Sequence, residues 1–166
     1  MSEIVLVSKE GTKFNTSSQF SVLSGLVHNV LEDYHENEDI SVPFVTTVNL
    51  ERILEFANHH NFIVPQPPKR PVASPNFRDS IPDPWDAEFV GRFNEEQLIE
   101  IILAANYLDM KCLMDICLVK IACTFKDKDI EAVRKEYGII EEFTPEIEEK
   151  LKTDYPWALE ADAEEQ

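Results

Sequence analysis

The chain is short of several things, and each shortage removes a class of function. Glycine occurs only four times in 166 residues, at positions 11, 25, 91 and 138, too scattered for a phosphate-cradling loop, and neither G-x-S-x-G nor H-E-x-x-H is present. Nothing points to an enzyme, a cofactor or a metal. No run approaches the ~18 apolar residues of a membrane span. Basic residues are scarce, 15 against 32 acidic ones, for a formal charge of −17. Such a field repels phosphate backbones and anionic lipid, so neither nucleic acid nor a membrane surface is an expected partner, whereas a basic protein surface would be attracted. Cysteine is limited to Cys112, Cys117 and Cys123. An odd number, spaced by five and six within one helical stretch, suits neither a disulfide framework nor a zinc site, and reads as buried thiols in a reducing compartment. The opening MSEIVLVSKEG has five apolar residues before Ser8 and no basic segment, so it reads as a first strand rather than a signal peptide. The sequon Asn15-Thr16-Ser17 is then a chance match.

What is present suits one sizeable core: 43% of residues are apolar and 28% charged. Ile4–Val7 and Thr12–Phe14 read as short strands around a turn at Gly11. From Ser18, a plausible N-cap, to Asp33, the residues Leu23, Leu26, Val27, Val30 and Leu31 recur at helical spacing. Ile40, Val42 and Phe44 alternate as a half-buried strand, and Val48 to His60 carries Val48, Ile53, Leu54, Phe56 and Ala57 as a second amphipathic helix. Strands alternating with helices indicate a mixed α+β domain with a small sheet. His59 and His60 are adjacent, so their rings are expected on different sides of the helix, serving the negative end of its dipole rather than a metal. His28, beside Val27, reads as half-exposed.

Residues 65–84 hold seven of the ten prolines and three bases, Lys69, Arg70 and Arg78. Rigid and polar, this segment is expected to be an extended, mobile loop; the PxxP run ahead of Lys69 also fits an SH3-type groove. Trp85–Val90 has the length of one short helix. The stretch 94–125 is apolar almost all round. Leu98, Ile102, Ala105 and Leu108 make one stripe and Ile99, Leu103 and Tyr107 another, while 112–125 has only Asp115, Lys120 and Thr124 as polar residues. A surface helix usually buries a stripe of ~100°. Either both helices are central, wrapped by the N-terminal elements and the tail, or one side is covered by another protein. The tail favours the second arrangement, because it offers only narrow stripes: Asp129–Tyr137 ending at Gly138, then Thr144-Pro145 starting a helix that carries Ile147, Leu151 and Tyr155.

The segment ILAANYLDMKCLMDICLVKIA at 102–122 closely resembles the S-phase-kinase-associated (Skp) adaptor family of SCF (Skp, cullin, F-box) ubiquitin ligases. The resemblance is collinear over nearly the whole chain. It includes Val30-Leu31-Glu32-Asp33, Val42-Pro43, His59-His60, Ile81-Pro82, Trp85-Asp86-Ala87-Glu88-Phe89, and Phe143-Thr144-Pro145-Glu146 through Trp157. It implies an α+β BTB/POZ fold with a small sheet flanked by helices, divided as 1–64 and 85–125 around the 65–84 loop, with 126–166 a helical extension for F-box binding. It further implies a non-catalytic adaptor of the cytoplasm and nucleus that joins a cullin to F-box proteins and, through the cullin, to a RING protein and an E2 enzyme. By resemblance, cullin contacts fall on Asn106 and Tyr107. F-box contacts fall on Leu98, Ile102, Leu118, Ile121, Val133, Ile139, Phe143 and Trp157. Pro145 occupies the proline that some protist relatives hydroxylate and glycosylate. A subunit of a non-ligase F-box assembly and a self-associating BTB module are the other roles such a chain could take. The loop carries Lys69, Arg70 and Arg78 where the family's is typically acidic, and the tail differs at Lys128–Ala132 and Trp157-Ala158; the tail sets F-box choice in the family, so these departures fit either a divergent paralogue with restricted partners or one used outside ubiquitin ligases.

Overall fold

A computed structural model describes residues 3–32, 39–139 and 144–155, apart from the side chain of Glu148. The chain divides into two compact units, residues 1–127 and 128–166.

In the first unit, β1 (Glu3–Val7) pairs antiparallel with β2 (Lys13–Ser17), and β3 (Ile40–Ser41) lies parallel to β1 on its other edge. Strand alternation sends Ile4 and Leu6 into the core. The connection tightens at Gly11, whose φ of +83° is the conformation glycine adopts without steric cost. The strand expected to carry Ile40, Val42 and Phe44 stops after two residues. Val42 still donates to Val7 O at 2.8 Å and stays buried, but Pro43 has no N–H to continue the ladder. The chain turns there, Val45 takes the next core position, and Phe44 is left 74% exposed.

The single helix expected from Ser18 is instead a 3₁₀ turn, Ser18–Val22, capped by Ser17, followed by α1 (Gly25–Glu32). The break has a long-range cause. Ser24 Oγ donates to Leu108 O at 2.7 Å and accepts from Val27 N at 3.2 Å, and Gly25 N donates to Asp109 O at 3.2 Å. A Cβ on Gly25 would lie 2.1 Å from Asp109 Oδ2 and 2.9 Å from its Cγ, so a larger residue here has to push the Asp109 side chain aside.

α2 (Thr47–His59) is capped by Thr46, and its buried face runs through Leu50, Ile53, Leu54, Phe56 and Ala57, leaving Val48 outside. The 65–84 segment has no regular secondary structure before Phe77, as expected of a loop, but its contacts go beyond those of a linker. It holds a helical turn, α3 (Phe77–Ser80), and packs on the core: Pro68 is buried, Val72 and Phe77 are half-buried, Lys69 N donates to Ser80 O at 2.8 Å, and Arg70 pairs with Asp115 at 2.9 Å. Three helices follow. α4 (Pro84–Gly91) has Asp83 as N-cap and Pro84 in its first turn, α5 (Glu95–Tyr107) starts from an Asn94/Gln97 capping box, and α6 is Lys111–Phe125. Ile101, Ala104, Ala105 and Leu108 from the α5 segment meet Leu113, Ile116 and Cys117 of α6 in one core with Leu6, Phe20, Phe56 and Phe89. Among the described residues no helix is long and apolar enough to cross a membrane.

In the second unit, α7 (Ile130–Glu136) ends at Gly138, φ +64°, where Ile139 N donates to Arg134 O at 2.9 Å. α8 (Pro145–Asp154) is capped by the Thr144 side chain and has Pro145 in its first turn. Ile130, Ile139, Ile147, Leu151 and Tyr155 are all exposed.

Candidate partner-binding surfaces

α5 divides its apolar residues between two tasks. One side, including Leu98 and Ile101, is closed into the core. The other carries Ile99, Leu103, Asn106 and Tyr107 at the i, i+4 and i, i+3 spacings that place residues in one row. Ile99 is 54% and Leu103 63% exposed, Asn106 is exposed, and Tyr107 is half-buried. The turn after β3 extends this surface: the Phe44 ring meets Tyr107 edge-on, centroids 5.1 Å apart. α2 adjoins it as well, through Asn49 Nδ2, which donates to Glu100 Oε2 at 3.3 Å. Apolar rings rimmed by an amide, a phenol and carboxylates make a surface that can take another protein by packing and hydrogen bonding together. Phe44 escaped the sequence reading, which placed it in a strand; the signal available was Pro43 directly before it.

The residues assigned to the F-box are not equivalent. Leu98 is 3% exposed and serves this unit's own core, so its side chain has little surface left to offer a partner. Ile102 and Ile121 are half-buried against that core, and Leu118 is 43% exposed on α6. Val133 is half-buried on α7, Ile139 is exposed beyond it, and Pro145 is exposed at the start of α8. Phe143 and Trp157 lie outside the described residues.

A third group gathers where α2 ends and α4 begins. His60 follows the last residue of α2 with φ −81° and ψ 6°. Its N still donates to Phe56 O at 3.2 Å, so its ring leaves from a helical position; the rings of His59 and His60 nevertheless come within 5.0 Å, centroid to centroid, held by Trp85 and Asp86 of α4. His60 Nε2 stands 2.7 Å from Oδ1 of Asp86, which is buried. Burial raises the Asp86 carboxyl above the ordinary aspartate pKa, with the bond to His60 acting the other way. His59 stacks on Trp85 with centroids 3.7 Å apart and planes within 4°.

The thiols behave as small core groups. Burial pushes Cys112 up to about 11 and Cys117 up to about 12, so both are protonated and unreactive at neutral pH. Lys120 ties α6 to the end of α4 by donating to Val90 O at 2.8 Å and Phe93 O at 2.6 Å.

Comparison with known proteins identifies the chain's relatives. Residues 2–62, which take in the sheet, α1 and α2, match the model of the Skp1 family, tetramerisation domain; residues 111–158, which take in α6, α7 and α8, match that of the Skp1 family, dimerisation domain. The chain is similar to the S-phase kinase-associated protein 1 homolog of Tetrahymena thermophila, 36% identical over 159 residues, covering 96% of this chain and 95% of the relative. It is also similar to the E3 ubiquitin ligase complex SCF subunit sconC of Arthroderma otae, at 36% identity over 95% of this chain and 94% of that one. The protein of the same name from Aspergillus fumigatus is 35% identical over 96% of this chain and its own full length. The α+β architecture with a small three-stranded sheet agrees with the POZ-type fold that the sequence resemblance implied.

Proposed function

This chain belongs to the Skp1 family, and on that premise we propose that it is the adaptor subunit of an SCF-type E3 ubiquitin ligase. It performs no chemistry itself. It binds a cullin, and through it a RING protein and an E2 enzyme, and it binds F-box proteins that bring the substrate; its place of work is the cytoplasm and nucleus. The observation that carries the reading is α5, which completes a core with one side and leaves Ile99, Leu103, Asn106 and Tyr107, joined by Phe44, facing outward. Covering such side chains is favourable by roughly 25 cal/mol per Å² of apolar area removed from water, and the resemblance at Asn106 and Tyr107 assigns this surface to the cullin. Ile102 on α5, Leu118 and Ile121 on α6, and separately Val133, Ile139, Ile147 and Leu151 in the second unit, are assigned to the F-box protein. Phe143 and Trp157 are assigned there by resemblance alone. Pro145, exposed in the first turn of α8, is the residue assigned to hydroxylation. A peptide map of the native protein with only unmodified Pro145 removes that last assignment.

Reconstitution tests the adaptor role. Mixed with a cullin N-terminal domain and an F-box segment, the chain should elute as a ternary complex, and adding the RING protein, E1, E2 and ubiquitin should modify a substrate bound to the F-box protein. A folded chain that takes up neither component contradicts the proposal.

A further inference from the structure

We propose that His59, His60 and Asp83 form a binding site for one divalent first-row transition ion of the imidazole-preferring kind, with Zn²⁺ as its type. One ring nitrogen from each histidine and one Asp83 carboxylate oxygen lie within 4.8 Å of one another. His59 Nε2 and Asp83 Oδ2 are already 3.9 Å apart. Donors bound at about 2.0–2.2 Å in a tetrahedral arrangement stand ~3.3 Å from each other, so a small side-chain adjustment closes the set around an ion.

The donors are positioned by independent constraints. Asp83 is the N-cap of α4 and accepts from Trp85 N through Oδ1 at 2.9 Å, leaving Oδ2 turned toward His59. His59 is the last residue of α2, its ring held flat against Trp85. The His60 ring is fixed from the interior by Asp86 at 2.7 Å, and an outer carboxylate bonded to a ligating histidine is the usual way a protein orients that ring and raises its basicity. Two imidazoles and one carboxylate favour zinc, nickel, copper or cobalt over magnesium or calcium, which require oxygen donors throughout. The field of a chain with net charge −17 concentrates cations nearby. Three protein donors leave a coordination position open on the solvent side, where His59 is exposed. With the ion bound, the end of α2 is clamped to the start of α4.

Trp85 supplies the readout. In a Trp157→Phe background, with no affinity tag, it is the sole tryptophan, and Co²⁺ held by the ring stacked on it quenches its fluorescence. The expected result is saturable quenching with one equivalent of Co²⁺, reversed by Zn²⁺. His59→Asn and Asp83→Asn should each weaken binding at least tenfold. Both keep the fold, since His59 is at the surface and asparagine is as good an N-cap as aspartate; unchanged circular dichroism and melting without metal confirm it. Unsaturable quenching, no binding, or affinity unaltered in both folded variants overturns the proposal, the last result meaning an adventitious ion on an acidic surface.

Discussion

Phe44 packs edge-on against Tyr107, with ring centroids 5.1 Å apart and planes inclined at 62°. The contact joins the turn after the shortest strand to the last residue of α5, and it enlarges the outward side of that helix by a second aromatic ring. Aromatic residues near the centre of an interface often dominate its energy, because they remove much apolar area at low entropic cost. Truncating Phe44→Ala should therefore weaken cullin binding by about 1–2 kcal/mol, roughly tenfold in Kd. Its ring is mostly in solvent, so thermal stability should barely move. Calorimetric titration of parent and variant with a cullin N-terminal domain makes the comparison; equal affinities would remove Phe44 from the interface.

The close approach at Gly25 makes a second prediction. Gly25→Ala forces a Cβ to within 2.1 Å of Asp109 Oδ2. Asp109 itself has φ +51°, a conformation in which glycine is preferred over other residues. Gly25→Ala alone should destabilise the fold, and Gly25→Ala combined with Asp109→Gly should recover about 1 kcal/mol of the loss, because the second change removes the clash and relieves the backbone together. Urea unfolding of the two single variants and the double variant measures the coupling. Strictly additive effects would show that the two residues do not press on each other.

Asp86 gives a pH dependence whose sign follows from its burial. Its folded-state carboxyl lies above the ordinary aspartate value, with desolvation the largest cause. The protonated form is therefore relatively favoured in the folded state. Asp86's contribution to stability is fully present below the ordinary aspartate range and is lost as pH rises through the raised folded value. Asp86→Asn keeps the shape and an acceptor oxygen for His60 but cannot ionise. The stability of the parent relative to this variant should fall as pH rises through that window and level off above it. Chemical denaturation across a pH series checks this, and a difference that is flat or grows with pH contradicts the assignment.

How much of this was legible in the sequence depended on how local the cause was. The tail helices could be read, because Thr144-Pro145 and Gly138 punctuate them through bonds within a few residues. The crowded apolar surface of α5 and α6 could be read from side-chain density alone. The break at Leu23-Ser24 could not, because what holds it is Leu108 O, 84 positions away. The order of the proline-rich segment also depends on remote partners, Asp115 for Arg70 and the core for Val72 and Phe77. Leu98 shows the limit of reading a stripe: helical spacing groups it with Ile102 but does not say which of the two the core keeps for itself. His59 and His60 depart from the expected divergence for a long-range reason, since their rings are held by Trp85 and Asp86 of α4, each 26 positions away.

The claim that matters most is that the outward end of α5 is the cullin side and is separate from the F-box side. Asn106→Lys combined with Tyr107→Lys places two charges where the surface is otherwise apolar and hydrogen-bonding. Binding of this double variant to a cullin N-terminal domain and to an F-box segment, measured on one folded preparation, is the most direct test. The account predicts loss of the cullin, by at least a hundredfold in affinity (about 2.7 kcal/mol or more), with F-box affinity retained. Undiminished cullin binding, or a protein that keeps its fold yet loses the F-box segment instead, contradicts it.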